Sequence, residues 1–134
     1  MANAIFDKGR EGILDTTIAM TGDVRVMLVK TAYTFSAAHQ FLSDITAGND
    51  NGRSAALGTK TYASGVFDAA DTTLTATAAA ACNAMVLFLH TGVDATARVI
   101  AYIDTPTSGL PFTPSASQVV NVTWDNGVNK IFKL

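Results

Sequence analysis

The sequence predicts a mainly β domain, an antiparallel β-sandwich or barrel-like unit with one short helix at its front. Three observations carry that prediction. Residues 83–104 read NAMVLFLH, TGVDATA and RVIAYID, two apolar β-forming runs separated by a polar, glycine-containing break, which is the pattern of an antiparallel hairpin. In the first run both alternating faces are apolar: Ala84, Val86 and Phe88 on one, Met85, Leu87 and Leu89 on the other. A strand of that kind belongs in the middle of a sheet covered on both sides. Further strand-length runs with turn signals between them recur along the chain, roughly six or seven in all, with no repeat period. At 134 residues the chain is expected to be one domain, a helical arm over 1–15 and a β domain over 23–134.

Taken in order, Asn3 to Asp15 places Ile5, Phe6, Ile13 and Leu14 on roughly one helical face with charges between them. Gly9 and Gly12 each weaken a helix by about 1 kcal/mol relative to Ala. The helix must therefore be short and held by packing, and two glycines on one side would admit a neighbouring backbone. Asp23 to Lys30 (DVRVMLVK) reads as a strand with Val24, Val26 and Leu28 facing one way. Over Tyr33 to Ile45 the period changes: Ser36 suits an N-cap, and Phe35, His39 and Leu42 recur at helical spacing, which predicts a short helical turn.

Thr46 to Arg53 (TAGNDNGR) reads as a polar, exposed, mobile loop. Lys60 to Phe67 and Asp71 to Thr77 read as two short strands around a DAAD turn, and the small residues Ala76 to Ala81 mark a close crossing or a bend. Thr105 to Ala116 holds Pro106, Pro111 and Pro114 and reads as an irregular connection. Gln118 to Trp124 alternates, with Val120, Val122 and Trp124 on one face. Asp125-Asn126-Gly127 is a turn signal, and Val128 to Leu134 is a last alternating run.

Composition narrows the partners. The chain is 49% apolar and 15% charged, which excludes a disordered segment. It has a single Glu, Glu11. A free monomer dilutes its surface with Lys and Glu, so their scarcity predicts that part of this surface is covered by a partner. A formal net charge of −2 leaves no electrostatic footprint for nucleic acid or an anionic membrane. Cys82 has no second cysteine to pair with and reads as a buried, inert thiol. The start, MANAIFDKGREG, lacks the apolar core of a secretory signal, and no apolar run approaches the roughly 20 residues that span a bilayer. The expected location is a cytoplasm, until the protein is assembled into something larger.

The constellations that carry chemistry are not evident, and the chain is not expected to be an enzyme. His39, His90 and Cys82 are too far apart for a zinc pattern, and His90 reads as a polar strand terminus. There is no G-x-S-x-G elbow, phosphate-binding loop or H-E-x-x-H pair. The aspartates stand mostly at element ends, where capping and turn duty account for them. Gly48-Asn49-Asp50-Asn51-Gly52 offers oxygen ligands but lacks calcium-loop spacing and a closing Glu, so no metal or cofactor is expected. Asn121-Val122-Thr123 is a glycosylation sequon in mid-strand and reads as accidental. Trp124 suits a core position at a strand end, with an interface anchor as its other use.

Two terminal blocks are more specific. The opening AxxxFDKGREGxL, carried by Ala2, Phe6 through Gly12 and Leu14, and the closing GLP…TP followed by TWDNG-x-NKIF-x-L resemble a group of small virion proteins of tailed bacteriophages. YTFSAAHQFLSDI and TGVDATARVIAYIDT are similar to the matching parts of that group, so the resemblance covers nearly the whole chain. The segments Thr16 to Thr21 and Gly48 to Gly58 depart from it.

The resemblance implies a capsid decoration, or cement, protein. Such a protein binds the outer surface of the major capsid protein shell, self-associates on the particle and stabilises it, without nucleic acid or membrane as partner. Its location would be the virion, after assembly in the host cytoplasm. The partner-facing residues expected on this reading are Ile5, Phe6, Lys8, Arg10, Ile13 and Leu14 at the front and Lys130, Phe132 and Leu134 at the end. A structural component of the tail or head–tail connection is the alternative. A glycan-binding module is a remote third reading, disfavoured because most aromatics fall on apolar faces.

Overall fold

Two strands of alternating apolar residues, β2 (Val24–Lys30) and β6 (Cys82–Leu89), form the middle of the molecule, paired antiparallel from Val24↔Leu89 to Lys30↔Cys82. The computed structural model describes residues 4–45, 47–104, 113–124, 127–128 and 130–134. Around the central pair lie β1 (Ala4–Ile5), β3 (Asp50–Arg53) and β7 (Val99–Ile103), giving a five-stranded sheet of order β1-β7-β6-β2-β3. Two further antiparallel pairs are formed by β4 (Val66–Phe67) with β9 (Phe132–Lys133) and by β5 (Thr72–Thr75) with β8 (Val119–Val122). The helix α1 spans Asp7–Leu14. The fold is mainly β, antiparallel throughout, and the described strands do not close into a barrel.

The central sheet is buried on both faces, as the apolar alternation of β6 requires. Val24, Val26, Leu28, Met85, Leu87 and Ile103 face one core, which is closed by Leu57, Phe67, Leu74, Val120, Trp124 and Phe132 from the smaller sheets and loops. Met27, Val29, Ala84, Val86 and Phe88 face a second core, closed by Tyr33, Leu42 and Ile45. Rings continue that lid, with Phe35 lying 5.1 Å from Phe6 and 4.9 Å from Tyr102 between centroids. The helical turn expected after Ser36 does not form: there the chain makes only one hydrogen-bonded turn, the His39 N–H donating to the Ser36 carbonyl at 3.1 Å, and the helical piece of this region is the 3-10 turn Leu42–Ile45. The Asp44 carboxylate accepts the backbone N–H groups of Gln40 and Phe41 at 2.8 and 2.9 Å, and those bonds hold its pKa below the usual carboxylate value.

Several expectations are corrected. The front segment does not run as one helix from Asn3: Ala4 and Ile5 pair with Tyr102 and Ala101 of β7, and the helix starts only after Phe6. Its buried face is Gly9 and Gly12 instead of Ile13 and Leu14. Gly9 lies against β7 so closely that an added Cβ would stand 2.5 Å from the Ile100 carbonyl oxygen. The glycines act as the sequence suggested, by admitting a backbone.

The polar stretch before Arg53 is not all loop either. Asp50–Arg53 is an edge strand on β2, and Asn51 is fully buried. Between Lys60 and Phe67 only Val66–Phe67 is strand, preceded by a 3-10 turn at Ala63–Gly65. In the last run strand is confined to Phe132–Lys133. Pro106, Pro111 and most of the expected Asp125–Gly127 turn lie outside the described residues, while Pro114 is buried.

Candidate partner-facing surface

The front and end segments, which carry the resemblance, come together in space. Ile5 and Arg10 from the front and Lys130, Ile131, Phe132 and Lys133 from the end line one groove of about 320 Å³, floored by β7 at Tyr102. A second, more apolar depression of about 230 Å³ is lined by Ile13, Met20, Tyr62, Phe67, Phe132 and Leu134. Its wall is built from stacked rings, with Tyr62 and Phe132 at 5.9 and 5.3 Å from Phe67 between centroids. The Tyr62 hydroxyl donates to the Met20 carbonyl at 3.0 Å, tying the loop after α1 to the wall.

The nine front and end residues singled out by sequence divide by burial. Ile5, Phe6 and Phe132 are buried and hold the segments in place. Arg10 is exposed, Lys8, Ile13 and Lys130 are half-buried, and Leu14 and Leu134 are the outward apolar groups at 81% and 55% exposure. Leu14 ends α1 with its side chain turned to solvent. The cations are lightly engaged. Lys8 pairs with Glu11 at 2.7 Å, Arg10 with Asp7 at 3.5 Å and Lys130 with Asp68 at 3.9 Å, all surface pairs of small net value.

Arg98, which sequence reading did not single out, fixes this surface from behind. Its guanidinium donates to the Lys8 carbonyl at 2.8 Å and to Thr17 Oγ1 at 3.0 Å, and lies over the Phe41 ring at 5.7 Å. No local pattern marks it, because its partners are 81 and 90 residues away.

The residues weighed for chemistry are placed apart. His39 Nδ1 meets the Tyr33 hydroxyl at 2.7 Å, and burial pushes the Tyr33 pKa up to about 12. Cys82 is buried, its thiol pKa raised by desolvation, and it accepts from Asn51 Nδ2 at 3.1 Å. The oxygens of the glycine-flanked loop are used internally: Asp50 accepts from the Gly52 N–H and from Arg53 Nε, and Asn51 Oδ1 from Thr77 and Ala78. Arg53 also binds Asp94 through both carboxylate oxygens at 2.8 and 2.9 Å, which holds the Asp94 pKa down. Among the described residues no three His, Cys, Asp or Glu side chains cluster as metal ligands. Trp124 is a core residue, its indole N–H donating to the Ala70 carbonyl at 3.1 Å.

Comparisons with protein-family models, with curated proteins and with solved structures each returned no match, so the geometry above stands on its own.

Proposed function

We propose that the protein is a structural component of a tailed-phage virion that binds the outer surface of the major capsid protein shell and reinforces it. One observation carries the reading: the two terminal blocks that resemble the virion proteins fold onto one face and together line its groove and its apolar depression. Exposed Leu14 and Leu134 flank charges that are only weakly paired, the mixture of apolar core and polar rim that partner-facing surfaces use. A decoration protein works by area buried many times over, and a rigid, two-sided core suits that role.

Removing the first residues would strip Ile5 and Phe6 from the core and unfold the chain, so truncation is uninformative. Leu14→Glu and Leu134→Glu instead alter only exposed side chains. With folded variants, occupancy on expanded heads is expected to fall at least tenfold. Occupancy equal to that of the unaltered protein would remove this face from the interface. Copy number in purified particles separates shell decoration, which needs hundreds of copies, from a tail or connector part.

A further inference from the structure

The central sheet does not stop at β3. Ser54, directly after that strand, bridges Leu74 of β5 antiparallel, and the Thr77 N–H donates to the Asn51 carbonyl at 3.4 Å. Gly52, at φ +120°, lies so close to the Thr75 carbonyl that a side chain there would collide with it. The β5–β8 pair therefore continues the sheet, and among the described residues β8 is its last strand. Among the described residues no strand pairs with its outer edge.

Register decides which backbone groups are free. Thr72 faces Val122, Thr73 faces Asn121, Leu74 faces Val120 and Thr75 faces Val119. One step further, the Ala76 N–H donates to the Gln118 carbonyl at 2.8 Å. Antiparallel ladders alternate bonded and non-bonded pairs. Counting from Ala76 and Gln118, the bonded pairs are Leu74 with Val120 and Thr72 with Val122. The N–H and C=O groups of Val119 and Asn121 therefore point away from β5.

Between Val119 and Val122 this edge carries no Pro and no charge; the one irregularity, where the Ser117 N–H and the Gln118 carbonyl both bond Ala76 and Ser117 has φ +65°, lies just before the strand. Edges that must stay single hold Lys, Pro or a bulge. β5 and β8 read TTLT and VVNV, and no Asp, Glu, Lys or Arg occurs in 72–93 or 105–124. The outward side chains are Thr73, Thr75, Asn121 and Val119, the last 61% exposed.

We propose that β8 is a self-pairing edge, joining β8 of a second copy antiparallel about a twofold axis at Val120, so that Val119 faces Asn121 of the other copy. In that register every outward N–H meets an outward C=O, and none is left over. A second copy fits better than a foreign strand for a further reason. A twofold contact sets like groups against one another, so charge at the edge would repel itself, and here there is none. The pairing rests on the sheet edge and does not depend on the virion reading. The edge is short, so association in free solution is weak and gains strength where copies are held at high local concentration.

Sedimentation of the full chain from about 10 μM to about 1 mM is expected to show reversible dimers. Amide hydrogen exchange at Val119 and Asn121 is expected to slow as dimers form, with Val120 and Val122 unchanged because β5 already holds them. Asn121→Pro removes only an outward N–H, and Val119→Lys sets charge against charge; each is expected to weaken dimerisation at least tenfold while the thermal midpoint stays put. A chain monomeric throughout that range overturns the proposal. So does a dimer in which Val119 and Asn121 exchange as in the monomer, or one that survives both substitutions.

Discussion

The sheet has two ends, and they are finished differently. At one end β1 is two residues long, runs straight into α1, and has its Ile5 carbonyl taken by Arg10 Nη1 at 3.2 Å. Arg10, Lys130 and Lys133 line the groove beside it, and Gly9 seats the helix on β7. At the other end β8 presents backbone groups that no described strand takes, and β5 and β8 themselves hold no charged residue, the nearest in sequence being Asp71 and Asp125. The first end blocks a further strand by cation and helix, the measures that keep an edge single. The second leaves the template open. Surface scarcity of charge is therefore not spread evenly over the molecule; it is concentrated where a neighbouring strand could add.

The largest effect expected at the closed end comes from Gly9→Ala. The new methyl would meet the Ile100 backbone, which cannot retreat without moving β7. A loss of about 3 kcal/mol in denaturant unfolding is expected, the upper end of what overpacked sites cost. The helix would also lift from the edge it covers. An unchanged midpoint would mean that α1 is not what closes this end.

Asn51→Ala tests the junction that joins the open end to the rest. Asn51 is fully buried and serves Cys82, Thr77 and Ala78 at once, so its removal strips partners from the Cys82 thiol, the Thr77 hydroxyl and the half-buried Ala78 N–H together. A cost of about 2–3 kcal/mol is expected by thermal or denaturant unfolding. Hydrogen exchange should then quicken in β5 and β8 before it does in β7. Uniform loosening would show that β5–β8 is no separate extension of the sheet.

Beside that junction a second pair should respond to acid. Arg53 of β3 holds Asp94 ionised, with the aspartate's pKa below its ordinary value. A depressed folded pKa gives stability that is present above the unfolded value of about 3.9 and is lost as pH falls through the folded one. The Asp94 side chain is 44% exposed, so solvent screening limits the effect to about 1 kcal/mol. Asp94→Asn should cost that much at pH 7 and almost nothing near the acid limit, as read by unfolding at both pH values.

How much of this was legible in the sequence follows from the range of each interaction. Alternation placed β2, β6 and β7 and both faces of β6 correctly, because a strand buried on two sides must be apolar at every position. The glycines of α1 announced a close backbone approach. Asp50–Arg53 reads as loop because Asp, Asn and Gly favour turns, and what makes it strand is tertiary: Asn51 is satisfied by residues 26 to 31 positions away. For the candidate surface, both segments were named, but Ile5, Phe6 and Phe132 turned inward, since period alone does not say which side of a segment meets the core. The open edge of β8 depends on register with β5, and no local signal reports register.

The smallest effect bears most directly on the contrast between the two ends. Arg10→Ala should alter stability by no more than about 0.5 kcal/mol, because its pair with Asp7 is exposed and spans 3.5 Å. It uncovers the Ile5 carbonyl, however, and takes a positive charge from the groove. If cationic cover is what keeps β1 single, Arg10→Ala combined with Asn121→Pro should acquire a weak association that Asn121→Pro alone lacks, measured by sedimentation. Salt separates the two contacts. Pairing through β8 should hold between about 0.05 and 0.5 M salt, whereas contacts at the terminal face should weaken as its remaining charges are screened. A double variant that stays monomeric would assign the closure of β1 to its two-residue length, and the difference between the ends would then be one of strand length before it is one of charge.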